Sequence, residues 1–419
     1  MVGLILALVP SQAVGQQTGS ARPAAPEPGS ELEVVLLTFG PGQAIWEIWS
    51  HNAILIRDRS AGTEVAYNWG IFDFGQEDFV SRLFLGRMLY ELRSYHAPDL
   101  MDYYESVGRD VWLQDINLTP NQRSELQRLV KTNDTDANRS YLYDYFLDNC
   151  STRVRDVLDA VLDGQIRSAT DSMETGTTFR WHASRLLQSR PWAYAGTQFG
   201  LGQRGDRPIS AWEEMFLPLK LQQRLEGVRV VGADGAPVPL LGPRRRAFDR
   251  EPAVVPQSAP GFMFGYLFFG LGLAAVLAMA ARAGVAGNRA ARWGFALVGG
   301  AWSLVIGFAG TALVLSWFFT DHTILQLNEN ALQFSPLSLP LALLIPAAVF
   351  GRGVRLARQF AVAAAALSVA GLVLQVIPLF DQVNGVVIAF ALPVHVAIAW
   401  GLVALPARDR AAPGVRPAV

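Results

Sequence analysis

The chain has one cysteine in 419 residues, five histidines, and no excess of charge of either sign: 35 Lys and Arg stand against 36 Asp and Glu. A single cysteine excludes an internal disulfide framework. The even charge balance excludes the basic face that a nucleic-acid binder needs. No group of His, Cys, Asp and Glu has the tight spacing of a zinc site, so neither a metal nor another cofactor is expected. No cysteine follows the short apolar run at the N-terminus, so the chain is not expected to be a lipoprotein itself. Charge is nearly missing beyond residue 255, where Leu, Val, Ala and Phe dominate, whereas the part before it has ordinary globular composition.

The first residues read as a remnant of an export signal. Met1–Val9 is apolar, and Ala13-Val14-Gly15 fits a cleavage tripeptide, although the positive n-region is missing. The run is too short to span a bilayer. Residues 16–30, rich in Gln, Pro, Ala and Gly, read as a linker. The expected organisation is therefore a signal remnant and linker over 1–30, a soluble domain over 31–250, a transmembrane domain over 256–408 and a tail over 409–419.

Five apolar stretches make up the membrane part: 261–281, 293–318, 334–350, 359–380 and 385–405. Each is near the ~20 residues that a helix needs to cross; the third is short and holds Pro340 and Pro346. Arg282, Arg289 and Arg292 follow the first stretch, Arg352, Arg355 and Arg358 the third, and Arg408, Arg410 and Arg416 the fifth. The other two connections, 321–336 and 380–383, carry no Lys or Arg. This alternation puts the Arg loops and the C-terminus in the cytoplasm and the soluble domain outside, which in a Gram-negative cell is the periplasm.

Within the soluble domain, Glu33–Phe39 alternates as a strand and is broken by Gly40-Pro41-Gly42. Asn52–Arg57 and Thr63–Asn68 read as strands joined by a turn at Ser60–Gly62. Gln76–Leu92 has helical spacing through Phe79, Leu83, Phe84 and Met88. Thr119-Pro120-Asn121-Gln122 is a capped helix start. Tyr141–Leu147 is aromatic and extended, and Thr152–Leu162 is an amphipathic helix with Val154, Val157, Leu158 and Val161 on one face. The sum is an α+β domain with Cys150 at the mouth of a helix.

An unpaired thiol in an oxidising compartment is a liability unless it is used or buried. In a first helical turn the macrodipole favours the thiolate, so a lowered pKa is expected for Cys150, opposed slightly by Asp148 unless that carboxylate caps the helix. The competing reading is a small buried packing residue. Of the histidines, His51 heads a strand, which suits a Cys–His pair. His96 and His182 read as surface or structural residues, His322 lies in an outer loop, and His395 lies within a span.

Ser50-His51-Asn52-Ala53, Tyr67-Asn68-Trp69-Gly70, Phe72-Asp73-Phe74 and Asp148-Asn149-Cys150-Ser151-Thr152-Arg153 together resemble the periplasmic domain of Lnb-type lipoprotein N-acyltransferases. The stretches Leu201–Asp206 and Glu214-Met215-Phe216-Leu217-Pro218 resemble its later part, and the five-span tail, with Asp321-His322-Thr323 and Asn328, resembles the Lnb transmembrane domain. The resemblance implies a permuted papain-like (NlpC/P60-like) domain, with Cys150 as nucleophile and His51 as base. The orienting residue would come from the next strand, Asn68 or Tyr67, and Asp321, His322 and Asn328 would contribute from the outer loop. The family often has an aromatic residue and glycine before the histidine, where this chain has Trp49-Ser50. The implied donor is a membrane phospholipid and the implied acceptor a diacylated lipoprotein. Two other functions stay open: a membrane-anchored cysteine peptidase or amidase, and a non-catalytic binding module.

Overall fold

Ala, Ile and Leu fill His51–Asp58, and in a computed structural model of the protein this run is the central strand of a seven-stranded antiparallel sheet. The structure describes residues 27–232, 235–249 and 251–404. Most of the expected signal remnant and linker, and the tail with Arg408, Arg410 and Arg416, lie outside them. The elements around the site are β1 (Leu32–Phe39), β2 (His51–Asp58), β3 (Thr63–Ile71), α1 (Phe79–Leu85), β4 (Leu89–His96), α2 (Ala97–Ser106), β5 (Val111–Asp115), α3 (Pro120–Asn133), β6 (Ser140–Leu142) and α4 (Cys150–Val161). The sheet order is Arg245–Arg246, β5, β1, β2, β3, β4, β6.

Alternation along the strands divides the core in two. Ile54, Ile56, Tyr67 and Trp69 face α3 and α4, packing with Leu126, Val154 and Leu158. Ala53, Leu55 and Ala66 face α2, packing with Leu100 and Tyr104. His51 and Asn68 belong by the same alternation to the α2 side, at the end of the sheet where β2 begins and β3 finishes. Thr119 caps α3 with the full capping box to Gln122, as its sequence signature implied.

One element differs from its sequence pattern. The helical spacing across Gln76–Leu92 holds only for α1, because Gly86 takes a left-handed φ of 72° and stops it. The chain then becomes β4, in which Tyr90 and Leu92 are buried against the sheet. Cross-strand pairing with β3 thus overrides the local periodicity.

In the C-terminal half, Met263–Val285, Arg289–Phe319, Val354–Leu374 and Gly385–Ala404 are each long and apolar enough to cross a membrane. The third expected span is not a continuous helix. Leu341–Val349 forms one short helix, joined at a 49° bend to the turns of Glu329–Ser338. Pro336 and Pro340 flank the interruption, and each lacks a backbone donor and resists a regular ladder, whereas Pro346 is carried inside the short helix. The segment nevertheless runs lengthwise along Arg289–Phe319. Its Phe334, Leu339 and Ala342 meet Gly310, Gly307 and Gly300 in turn, and the Phe350 ring packs tilted on Trp293 at 4.5 Å between ring centroids.

The bundle has two distinct ends. Arg292 donates to the Gly284 carbonyl and Arg358 to that of Leu402 at one end. At the other end the Lys- and Arg-free loops clasp the soluble domain. Gln203 donates to Asp381, and the Val383 N–H donates to Asp206, which is itself paired with buried Arg180.

A methyl group at Gly310 would fall 1.8 Å from the Phe334 carbonyl oxygen, whereas one at Gly272 would meet nothing within 4 Å. Gly310→Leu is expected to lower stability by about 1–3 kcal/mol or more, the cost of overpacking, and Gly272→Leu to leave it nearly unchanged. Thermal unfolding of the detergent-solubilised protein measures both.

Candidate active site

The site begins with how α4 is started. Asn149 is the N-cap: its Oδ1 accepts the N–H groups of Ser151 (2.8 Å) and Thr152 (3.0 Å), and its own N–H donates to Thr152 Oγ1 at 2.7 Å. Its Nδ2 donates to the carbonyls of Tyr145 and Phe216. Ser151 Oγ donates to the Met215 carbonyl at 2.7 Å and reaches Asn52 Oδ1 at 3.2 Å. Asp148 does not cap the helix; its carboxylate pairs with Arg153 at 2.6 Å. Every residue of the Asp148–Arg153 run except Cys150 is thereby engaged in holding the helix start. The Glu214–Pro218 stretch supplies the two backbone carbonyls that receive it.

Cys150 is the first residue of α4 and is buried. It meets His51 at Gly70. A Cβ built on Gly70 would lie 3.2 Å from Cys150 Cβ and 3.6 Å from His51 Cε1. The two side chains are therefore no farther apart than those distances laid end to end. Gly70 has φ of 94°, a conformation that glycine adopts freely, and it has no side chain to push the pair apart.

His51 Nε2 is hydrogen-bonded to Asn68 Oδ1. The carboxamide oxygen can only accept, so Nε2 carries the proton and Nδ1 keeps a lone pair. Of the two residues considered for orienting His51, Asn68 reaches it. Tyr67 points to the other face and is buried in the α3–α4 core.

Burial decides the charge state. It pushes the Cys150 thiol up to about 11, although the N–H groups of Asn52 and Ser151 and the Arg109 guanidinium favour the thiolate. This corrects the lowered pKa expected from the helix dipole: the cost of burying a charge exceeds the gain from the helix end. Burial also brings His51 down to about 4, against the Asn68 bond, with Arg109 adding to the fall. The resting pair at neutral pH is thus a thiol and a neutral imidazole.

Cys150, His51 and Asn68 line one cavity of about 530 Å³, walled by Trp46, Phe72, Tyr90, Tyr104, Tyr143 and Phe146. Arg109 also lines it, 5 % exposed, donating through Nε to the Gly40 carbonyl and lying over the Tyr104 ring. The sequence offers no local signal for Arg109 or Gly70, because sheet pairing and the α2–β5 turn bring them in.

The remaining sequence candidates lie elsewhere. Asp321 pairs with Arg87 at 2.7 Å, and His322 bonds the Leu83 carbonyl. Asn328 is fully buried and donates to the carbonyls of Phe199 and Gly200. All three join the soluble half to the bundle, and none lines the cavity. His96 is on the surface beside Asp99, His182 is buried against Glu214, and His395 bonds the Gln333 carbonyl.

Ser50, just before His51, has φ of 71° and is buried. This is the position at which the resemblance led us to expect glycine, and the left-handed backbone supplies the reason.

A buried cysteine at a helix start, facing a histidine fixed by an asparagine, defines a cysteine–histidine site on a mixed α/β domain that precedes a helical, apolar C-terminal region. Residues 27–187 match the family profile of the Lnb N-terminal periplasmic domain, so the chain carries an Lnb-type periplasmic domain, as its motifs implied. Neither a curated protein nor a solved structure matches the chain.

Two measurements check the site. Alkylation of Cys150 by iodoacetamide should rise about tenfold per pH unit from 7 to 10, as expected for a thiol titrating near 11, with no plateau at neutral pH. A plateau below pH 7 would indicate a resting thiolate–imidazolium pair. Ser50→Gly should raise stability by roughly 0.5–1 kcal/mol, because relief of the left-handed strain exceeds the entropic cost of glycine. Thermal unfolding reads the change.

Proposed function

We propose that the chain is a lipoprotein N-acyltransferase that moves an acyl chain from a phospholipid, through a Cys150 thioester, to the α-amino group of a diacylglyceryl-cysteine N-terminus. The observation that carries this reading is the Cys150–His51–Asn68 arrangement inside an aromatic-walled cavity, on a domain tied to helices long and apolar enough to cross a membrane. The Lnb-type domain supports it. We also propose that the domain is a permuted papain-like fold, since the histidine strand precedes the cysteine helix. The helices would sit in the inner membrane with the Arg-bearing end cytoplasmic.

In the first step, His51 Nδ1 takes the thiol proton as the sulfur attacks the ester carbonyl carbon. A neutral pair suits this, because proton transfer and C–S bond formation occur together and no buried charge is held beforehand. The N–H groups around the sulfur at the α4 start would receive the developing oxyanion. When the tetrahedral centre collapses, the C–O bond breaks, and His51 returns the proton to the departing lysophospholipid oxygen. In the second step, the lipoprotein amine attacks the thioester carbonyl. His51 takes a proton from the nitrogen, the C–S bond breaks, and the thiolate recovers that proton. Asn68 holds the imidazole plane through both steps. A thioester is well matched to an amine acceptor, because a thiolate leaves more readily than an alkoxide.

Expression in cells that lack their own N-acyltransferase, with mass spectrometry of lipoprotein N-termini, tests the proposal. Triacylated N-termini are expected with the wild-type chain and none with Cys150→Ser. His51→Ala should lose about 10²–10⁴-fold in rate, the usual contribution of a general base. Diacylated N-termini alone with the wild-type chain would refute it.

A further inference from the structure

We propose that α1 and the residues leading into it form a membrane-embedded entry element, which takes a lipid acyl chain from the outer leaflet and passes it into the Cys150 cavity. The proposal rests on the acyl-transfer reading for its cargo, whereas the location of α1 in the bilayer stands apart from that reading.

The first observation is that α1 buries none of its residues. Phe84 is 74 % exposed, Val80 63 % and nearby Phe74 60 %. Apolar side chains grouped in this way mark a surface that something covers.

The second observation says what covers it. The Asp321 N–H donates to the Leu85 carbonyl at 2.8 Å, and His322 meets the Leu83 carbonyl at 3.1 Å. Arg87, just past α1, pairs with the Asp321 carboxylate. These loop residues directly follow the end of the membrane helix Arg289–Phe319, whose Phe318 and Phe319 are themselves exposed. α1 is therefore pinned level with the outer end of a membrane helix, where apolar side chains meet the headgroup boundary. The occupant that fits is the lipid leaflet.

The third observation links this surface to the site. Phe74 stacks edgewise on Phe72 at 4.8 Å, Phe72 on Tyr90 at 5.0 Å, and Tyr90 on Tyr143 at 3.8 Å. Phe72, Tyr90 and Tyr143 all line the cavity that holds Cys150. With Phe74 also 5.5 Å from Phe79 of α1, a row of aromatic rings leads from α1 into the cavity that holds the nucleophile, and an acyl chain sliding along it need not enter water.

Depth measurement tests the location without any need for activity. In the full-length Cys150→Ala protein, the sole cysteine is removed, and Phe84→Cys or Ser60→Cys introduces one spin-label site; Ser60 lies in the β2–β3 turn, at the far end of the strands from His51. In nanodiscs of phosphatidylethanolamine and phosphatidylglycerol, the label at 84 should collide with oxygen and be shielded from a water-soluble nickel complex, with the reverse at 60. Equal nickel access at both positions overturns the proposal. In the active protein, Val80→Asp with Phe84→Asp should slow Cys150 acylation from vesicle phospholipid by about tenfold or more, while acylation by p-nitrophenyl butyrate changes less than about twofold. Equal loss on both substrates also overturns it. Acylation of the wild-type chain from phospholipid, with the label at 84 of the Cys150→Ala protein in water, would refute the entry element alone; a shielded label at 84 of the Cys150→Ala protein, with a wild-type chain that accepts no lipid acyl group, would refute the acyl-transfer reading instead.

Discussion

Asn149 joins three parts of the molecule through one side chain. Its oxygen terminates the free N–H groups of α4, while its nitrogen is held by the carbonyls of Tyr145 and Phe216. An N-cap of this kind is worth about 1 kcal/mol to a helix in isolation. Here its larger consequence is positional. It fixes where α4 begins, and so where Cys150 stands relative to His51 at the end of the sheet. The Asp148–Arg153 ion pair and the Ser151 bonds to Met215 and Asn52 brace the same point from either side. A change in the register of α4 by one residue would carry the sulfur away from Gly70 and empty the site.

The same close packing sets the chemistry. Helix-end N–H groups and a buried arginine favour a thiolate, but a buried sulfur loses more from leaving water than it gains from them. The imidazole is subject to the same constraint in the opposite sense. Both groups rest uncharged, and the charge arises only as the reaction proceeds. Such a site has little use for a free ion pair, and its aromatic walls suit a long apolar substrate. Arg109, held beneath Tyr104 and against Gly40, pairs with Glu47 at 3.7 Å, and both line the cavity.

Local features of this architecture were legible in the chain. Thr119 and Gln122 form the capping box that their spacing announced. The strands on either side of Ser60–Gly62 pair as their alternation implied, and His51 and Cys150 fall at a strand start and a helix start. Tertiary effects were not legible. The spacing of Phe79, Leu83, Phe84 and Met88 continues past the point where Gly86 ends α1, and only pairing with β3 makes Leu89–His96 a strand. The choice between Tyr67 and Asn68 depends on which face of β3 each occupies. The direction of the Cys150 shift depends on how deeply α4 is covered. Pro340 and Pro346 signalled a weak third span, but its passage along Arg289–Phe319 is visible only in the matching run of glycines at 300, 307 and 310.

The soluble half is clamped to the helical half through Asp321, Asn328, Asp381 and Gln382, so the cavity is held at a constant height over the bundle. That arrangement has a purpose if the cysteine receives its acyl group from a lipid. The most direct measurement is the intact mass of the purified protein after incubation with phospholipid vesicles and no acceptor. The account predicts an added mass equal to one acyl chain, located on Cys150 and released by neutral hydroxylamine. An unmodified Cys150, in protein whose thiol still alkylates at high pH, would contradict it.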